Sequence, residues 1–282
     1  MIVLRTADEV RAWRGALDRE GRALAFVPTM GFLHEGHLSL MREGRRRVGE
    51  GGVVAISIFV NPTQFGPGED LGRYPRDEAG DLAKSASASV DVAFCPQDPR
   101  ELFPPGYRTW IDVDDLGEHL CGRARPGHFR GVCTVVAKLW GLVRPDLALF
   151  GEKDFQQLAI LRRMHRDLNL GGEIVGMPIV READGLAMSS RNANLSAEAR
   201  DQALALPRYL DAVRERFAAG ARSADALLLD ADAALAPGRV DYVELVDAEA
   251  LQPVVAVEGP TLCAAAVFFG GVRLIDNRLL VP

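Results

Sequence analysis

The chain is expected to be an α/β protein: a Rossmann-like, doubly wound parallel sheet followed by a smaller C-terminal α+β domain. Three observations carry this expectation. Apolar runs of strand length alternate with helix-period segments over the first two-thirds of the chain. Residues 53–60 form a run rich in β-branched apolar side chains, broken only by Ser57, the pattern of a strand buried on both faces. After Arg181 the alternation stops, and two helical stretches are followed by three short strands. The expected domains are therefore 1–186 and 187–282, with the boundary near 186–195.

The elements follow in order. Thr6-Ala7-Asp8-Glu9 has the form of a capping box opening a first helix. A strand over 23–27 is expected to stop at Pro28, and a helix runs from about His37 towards Val48, with Arg45, Arg46 and Arg47 on its solvated end. The 53–60 strand ends at the loop Asn61-Pro62-Thr63-Gln64, a helical stretch follows Pro75, and 90–95 reads as a short strand. Phe129, Val132, Val135, Val136, Leu139, Trp140 and Val143 recur at helical spacing, ending before Pro145. A buried strand over 146–150 runs into Gly151-Glu152-Lys153-Asp154-Phe155-Gln156-Gln157, where a new helix begins, and 173–180 closes the set. Beyond the polar loop 187–192 come helices over about 197–218 and 223–235 and strands over 240–246, 262–269 and 272–275.

Composition excludes several functions. The 282 residues are 48% hydrophobic and 26% charged, as in a soluble two-domain enzyme. No apolar run is long enough to span a bilayer, so no membrane partner is expected. The acidic first helix does not have the basic start of a secretory signal. Cys95, Cys121, Cys133 and Cys263 show no CxxC spacing and read as buried free thiols of a cytoplasmic protein. A net charge of −6 argues against a nucleic-acid partner, so any polyanionic ligand must meet a local cluster of cations. Of 33 basic residues three are lysine, so each surviving lysine invites a reason. Lys84 reads as a surface residue and Lys138 as a partly exposed helical one; Lys153, in a loop at a strand end, reads as chemical.

The most informative segment is 26–37, a strand, a short loop with Gly31, and then His34-Glu35-Gly36-His37. Residues three apart share a helical face, and a helix N-terminus presents unpaired N–H groups suited to an anion. The two imidazoles could be surface residues, metal ligands or donors to a nucleotide's phosphates. Metal ligation fits least, because zincin histidines stand four apart and no Cys/His/Asp cluster lies nearby; no metal site is expected. In an open parallel sheet the loops leaving the strands converge on one edge. Those loops are 28–37, 61–64, 151–157 and 188–191, and they collect imidazoles, Lys153, Arg191, serine hydroxyls and amides. Such a set suits adenylate transfer, in which the α-phosphate accepts a nucleophile while pyrophosphate departs. Glu152 and Asp154 are either solvated or, for Asp154, turned to the nucleotide. His128 either touches substrate or braces its loop, and His119 and His165 read as structural or exposed.

The order strand–loop–HxGH resembles the nucleotidyltransferase superfamily, and Pro28-Thr29-Met30-Gly31-x-Leu33-His34-x-Gly36-His37 is similar to the opening motif of the pantothenate synthetase family. Further blocks match in order: 59–65, Tyr74-Pro75-Arg76, 125–132, 151–157, 184–192 and Arg273-Leu274-Ile275-Asp276-Asn277. Phe32 is bulkier than the family's usual residue, and Ala193-Asn194 replaces a more common basic–aromatic pair. The resemblance implies an ATP-dependent ligase joining pantoate to β-alanine through a pantoyl adenylate, releasing AMP and pyrophosphate. It implies that His34, His37 and Lys153 are catalytic and contact the ATP phosphates. Ser189, Ser190 and Arg191 would bind the β and γ groups from a mobile loop with Met188, Met30 would line the site, and Gly151 and Asp154 would face the ribose. Gln64 and Gln157 would hold pantoate, with Asn61 in support. It further implies Mg²⁺ held mainly by the ATP phosphates, and a homodimer. A nucleotidyltransferase that stops at a nucleotide adduct, or a non-catalytic nucleotide-binding protein, are the alternatives.

Overall fold

A computed structural model describes residues 1–282. Its strands are β1 Ile2–Leu4, β2 Leu24–Thr29, β3 Val53–Ile58, β4 Val92–Phe94, β5 Leu147–Gly151, β6 Glu173–Met177, β7 Arg239–Asp247, β8 Thr261–Phe269 and β9 Val272–Leu280. Its helices are α1 Ala7–Glu20, α2 Glu35–Val48, α3 Glu78–Ser87, α4 Leu120–Ala124, α5 His128–Val143, α6 Phe155–Asp167, α7 Ala197–Ala203, α8 Ala205–Ala218, α9 Ala224–Leu227 and α10 Ala231–Leu235. The chain divides into two compact units. The first is Met1–Val113, Gly127–Glu152 and Ile160–Pro178; the second is Asp114–Pro126, Lys153–Ala159 and Ile179–Pro282.

The first unit holds a six-stranded sheet in the order β1-β4-β3-β2-β5-β6, every pair parallel. From β2 the chain builds outwards through β3 and β4 on one side and then through β5 and β6 on the other. The order therefore reverses between β2 and β5, where a doubly wound sheet opens its ligand crevice beyond the strands' carboxyl ends. One face buries Val27, Val54, Ile56 and Leu149 against Leu38 and Met41 of α2. The Asp146 carboxylate accepts from Leu24 N at 2.7 Å and pins the start of β2. The strand continues through Pro28 to Thr29. Its pairing with β5 covers only Ala25 and Phe26, so Pro28 sits where one side of the strand has no ladder to break. β1 lies outside the expected set; three residues are too few to carry a period.

In the second unit β7, β8 and β9 form an antiparallel sheet packed on α8 around Leu206, Leu210, Val213, Cys263, Ala265 and Val267. The helical stretch at 197–218 is two helices meeting at Leu204. Pro207 has no N–H to give and its ring crowds the carbonyl four residues back, so the first helix ends there. β9 runs to Leu280, five residues beyond the expected end, and so takes in Asp276 and Asn277. The division is not a single cut at 186, because two earlier segments join the C-terminal residues. The Gln156 side chain binds one of them, accepting from Cys121 N at 2.9 Å and donating to the carbonyls of Leu116 and His119, each at 2.9 Å.

All four cysteines are free and buried. Burial pushes the thiols of Cys95, Cys133 and Cys263 up to about 12, so they stay protonated and inert at neutral pH. No helix is long and apolar enough to cross a membrane.

Candidate active site

β2 ends in a turn that delivers the two histidines. Gly31 (φ 82°) and Phe32 (φ 49°) are both left-handed, a conformation that costs a non-glycine residue unless the surroundings hold it. A Cβ on Gly31 would lie 2.8 Å from Asp81 Oδ2, so the turn needs glycine for space as well as for φ. His34 then caps α2 and His37 falls in its first turn. His34 N donates to His37 Nδ1 at 3.3 Å, and the ring centroids lie 4.1 Å apart, both residues half-buried. Two imidazoles on one face at a helix N-terminus form a compact donor set for an anion.

What holds this turn is not visible in the sequence. The Asp81 carboxylate, 1% exposed, accepts from Phe32 N and Leu33 N, each at 2.7 Å. Lys84, one turn further along α3, donates to Leu33 O at 2.8 Å. The expectation that Lys84 is a plain surface residue is therefore corrected: it is half-buried and ties α3 to the histidine loop. The i, i+3 spacing of Asp81 and Lys84 is the available signal, but nothing marks the Phe32–Leu33 backbone as their partner.

Burial raises the Asp81 pKa, against the backbone N–H groups of Leu33 and Phe32 and the charge of Lys84, which lower it; Asp77 adds to the rise. A carboxylate with a folded-state pKa above its unfolded value costs stability as pH rises through that window, so the ionised form of Asp81 is held at some cost to the fold. Asp81→Asn, which replaces one accepting oxygen by an NH2 group and takes the charge from the other, is expected to cut turnover about tenfold, while thermal stability falls little. Side-by-side melting and turnover measurements check this. A collapse of melting temperature matching the loss of turnover would make Asp81 a residue of the fold alone.

The loop after β3 is a second organised element. Asn61, 1% exposed, caps the short 3₁₀ turn Pro62–Gln64: its Oδ1 accepts from Thr63 N at 3.3 Å and from Thr63 Oγ1 at 2.9 Å. Asn61 Nδ2 donates to Gln64 Oε1 at 3.0 Å and to Gly131 O at 3.1 Å. Gln64 Nε2 lies 3.2 Å from Met30 Sδ, so Met30, Gln64 and Asn61 form one chain of contacts. His128 Nδ1 is 2.8 Å from Gln64 O, and the ring is buried; of its two readings the structure favours bracing. α5 approaches so closely that a Cβ on Gly131 would lie 2.4 Å from Thr63 O, which explains glycine there. At the end of β5 stands Gly151, half-buried.

The second unit carries the remaining residues. Lys153 and Asp154 occupy a 3₁₀ turn before α6, with Lys153 Nζ 3.1 Å from Asp154 Oδ2. Gln157 is half-buried in the first turn of α6, beside the fully engaged Gln156. Met188 N donates to Val180 O at 3.0 Å. Ser189 caps the 3₁₀ turn Ser190–Asn194, accepting from Arg191 N at 3.2 Å, and Ser190 is buried. Asn192 Nδ2 donates to Glu182 Oε1 at 2.7 Å and to Ala187 O at 3.1 Å, closing the loop on itself. Of the histidines outside the motif, His165 stands edge-on to Trp140 with centroids 4.7 Å apart.

A doubly wound parallel sheet with two imidazoles at the start of the helix that follows β2 defines an α/β protein with a candidate anion site at the sheet's carboxyl edge. The model of the pantoate–β-alanine ligase family matches residues 2–279. The pantothenate synthetase of Myxococcus xanthus is 57% identical over 99% of this chain and 96% of its own length. That of Anaeromyxobacter dehalogenans is 58% identical over 95% and 96%. The crystal structure of pantothenate synthetase from Thermus thermophilus superposes with a TM-score of 0.92 at 45% identity, covering 100% of both chains. A crystal structure of the ligase from Francisella tularensis, complexed with β-γ ATP and β-alanine, has a TM-score of 0.81 at 32% identity, covering 99% of this chain and 97% of that one. The chain belongs to the pantoate–β-alanine ligase family, and it is an enzyme: a ligase that joins pantoate to β-alanine.

Proposed function

We propose that the ligation is driven by ATP through a pantoyl adenylate. A pantoate carboxylate oxygen attacks the α-phosphorus, forming the P–O bond as the bond to pyrophosphate breaks. The β-alanine amine then attacks the acyl carbon, the C–O bond breaks, the oxygen stays on AMP, and the amine proton goes to solvent. Pantoate is already ionised near neutral pH, so the first step needs no general base. The observation that carries this reading is the His34–His37 pair at the N-terminus of α2, which offers donors where the α-phosphate gains charge. The alternative of an enzyme stopping at a nucleotide adduct is not favoured by the full-length kinship.

Residue roles follow the family motifs. His34 and His37 act on the α-phosphate. Lys153, Ser189, Ser190 and Arg191 neutralise the phosphates, with Met188 in the same loop. Met30 lines the site, Gly151 and Asp154 face the ribose, and Gln64 and Gln157 hold pantoate with Asn61 in support. In this reading residues 1–186 supply most of the nucleotide and pantoate contacts, and residues 187–282 add the 188–191 loop. Apart from the serine hydroxyls and the Asp154 carboxylate, which pairs with Lys153, the donor set is imidazole, ammonium, guanidinium and amide and suits an anion; Mg²⁺ would be held mainly through the ATP phosphates and would neutralise their charge. The free cysteines fit a reducing, cytoplasmic setting. We infer a homodimer from the same kinship, to be checked by sedimentation.

The direct test supplies ATP, pantoate and β-alanine: pantothenate and AMP should form together, with sustained AMP release requiring β-alanine. ADP formation would defeat the proposal. Specificity has its own test in Gln64→Ala. An amide binds hydroxyls and a carboxylate without competing for the phosphate cations, and a lost buried partner costs about 1–3 kcal/mol. Calorimetry should show pantoate affinity falling roughly tenfold or more with ATP affinity nearly unchanged. Equal losses for both ligands would assign Gln64 to holding the 61–64 loop alone.

A further inference from the structure

Asp276 and Asn277 lie in mid-strand on β9, buried, and remain outside the roles just described. Their contacts lead to two separate segments of the second unit. Asn277 Nδ2 donates to Lys153 O at 3.1 Å, fixing the backbone of the 3₁₀ turn from which the Lys153 ammonium projects. The Asp276 carboxylate, 1% exposed, accepts two parallel hydrogen bonds from Arg181, each at 2.8 Å. Arg181 Nη1 also donates to Gly185 O at 3.0 Å. That carbonyl belongs to the turn closed by Gly185 N to Glu182 O at 2.9 Å and Glu182 N to Leu186 O at 2.8 Å, directly before Met188–Arg191. Arg278 Nη1 at 3.3 Å and Asn277 N at 2.7 Å complete the acceptor capacity of Asp276.

A carboxylate taken this far from water is costly unless fully paired. Burial works against the Arg181 charge, yet Asp276 holds its pKa above the usual guanidinium value. A planar, two-point pair fixes direction as well as distance. A fold needing only a filled core would be served as well by apolar residues of similar size at these positions.

We propose that Asp276 and Asn277 are positioning residues for the ligation: Asn277 sets the Lys153 ammonium, and Asp276, through Arg181, sets the loop bearing Ser189, Ser190 and Arg191. The inference rests on the phosphate-binding reading of Lys153 and Arg191. It assigns the two neighbours separable effects. Loss of the Asn277 donor displaces the Lys153 turn and acts on turnover, since small misplacements of a reacting group cost up to about a hundredfold. Loss of the Arg181 link frees the 185–191 loop and acts on ATP binding.

The experiment measures kcat and the KM values for ATP and pantoate, with melting temperatures, for Asn277→Leu, Asn277→Asp, Arg181→Met and Lys153→Ala in the full-length enzyme. Asn277→Leu and Asn277→Asp keep the side chain's size and remove the donor, so either serves if the other does not fold. The expected result is a kcat lowered about tenfold to a hundredfold in the Asn277 variants with the pantoate KM unchanged. Arg181→Met should raise the KM for ATP about tenfold and leave that for pantoate. Near-normal kinetics in the Asn277 and Arg181 variants, with Lys153→Ala inactive, would overturn the inference and leave the reading of Lys153 standing. Full activity of Lys153→Ala would overturn that reading itself and the inference with it. Uniform loss in all parameters, in step with the folded fraction, would also overturn it and return both residues to the fold.

Discussion

His34→Ala and His37→Ala are each expected to slow ligation about a hundredfold or more while the protein stays folded. Removing one donor to a developing oxyanion typically costs about 3 kcal/mol of transition-state stabilisation. The two rings are half-buried, and the helix they open is held from other directions: by Leu38 and Met41 in the core and by Asp81 on the preceding turn. The His37 variant also removes the acceptor for His34 N, so its loss should be the larger if the cap matters. Single-turnover measurement of pyrophosphate release with saturating ATP and pantoate is the check. Near-normal turnover in either variant would remove that histidine from the chemistry.

Lys153→Ala should abolish most activity, roughly a hundredfold to a thousandfold, and Lys153→Arg should restore only part of it. The ammonium is a compact charge on a flexible stem, held 3.1 Å from Asp154 in a turn whose carbonyl is itself fixed by Asn277. A planar guanidinium is longer and directs its donors in a fork, so it cannot occupy the same point. In a chain with 30 arginines among 33 basic residues, a position that tolerated arginine would be expected to have it. Steady-state turnover of the two variants decides the matter: full activity in Lys153→Arg would show that charge alone suffices.

The strand–helix alternation is legible because each buried strand is an apolar run bounded by a turn, and α5 shows its period in seven residues from Phe129 to Val143. Short elements are not legible. β1 has three residues, and its pairing with β4 is set by tertiary contact alone. The extension of β9 through Asp276 is likewise set by its pairing with β8, whereas the break at Leu204 has a local mark in Pro207 that the helical period of the stretch conceals. The positions of His34, His37, Gln64 and Lys153 at strand or helix ends can be read from local pattern. Their supports cannot, because each crosses a long stretch of sequence: Asp81 to Phe32, His128 to Gln64, Asn277 to Lys153. A hydrogen bond to a backbone atom leaves no mark on the identity of the partner. Lys84 reads as a surface residue for that reason, since its partner is the Leu33 carbonyl.

The central claim, attack by the pantoate carboxylate on the α-phosphate, is tested most directly by following oxygen. Pantoate labelled with ¹⁸O in its carboxylate is turned over with ATP and β-alanine, and the products are analysed by mass spectrometry. The account predicts one labelled oxygen in each AMP and none in pyrophosphate. Label in a released phosphate or pyrophosphate, with AMP unlabelled, would contradict it.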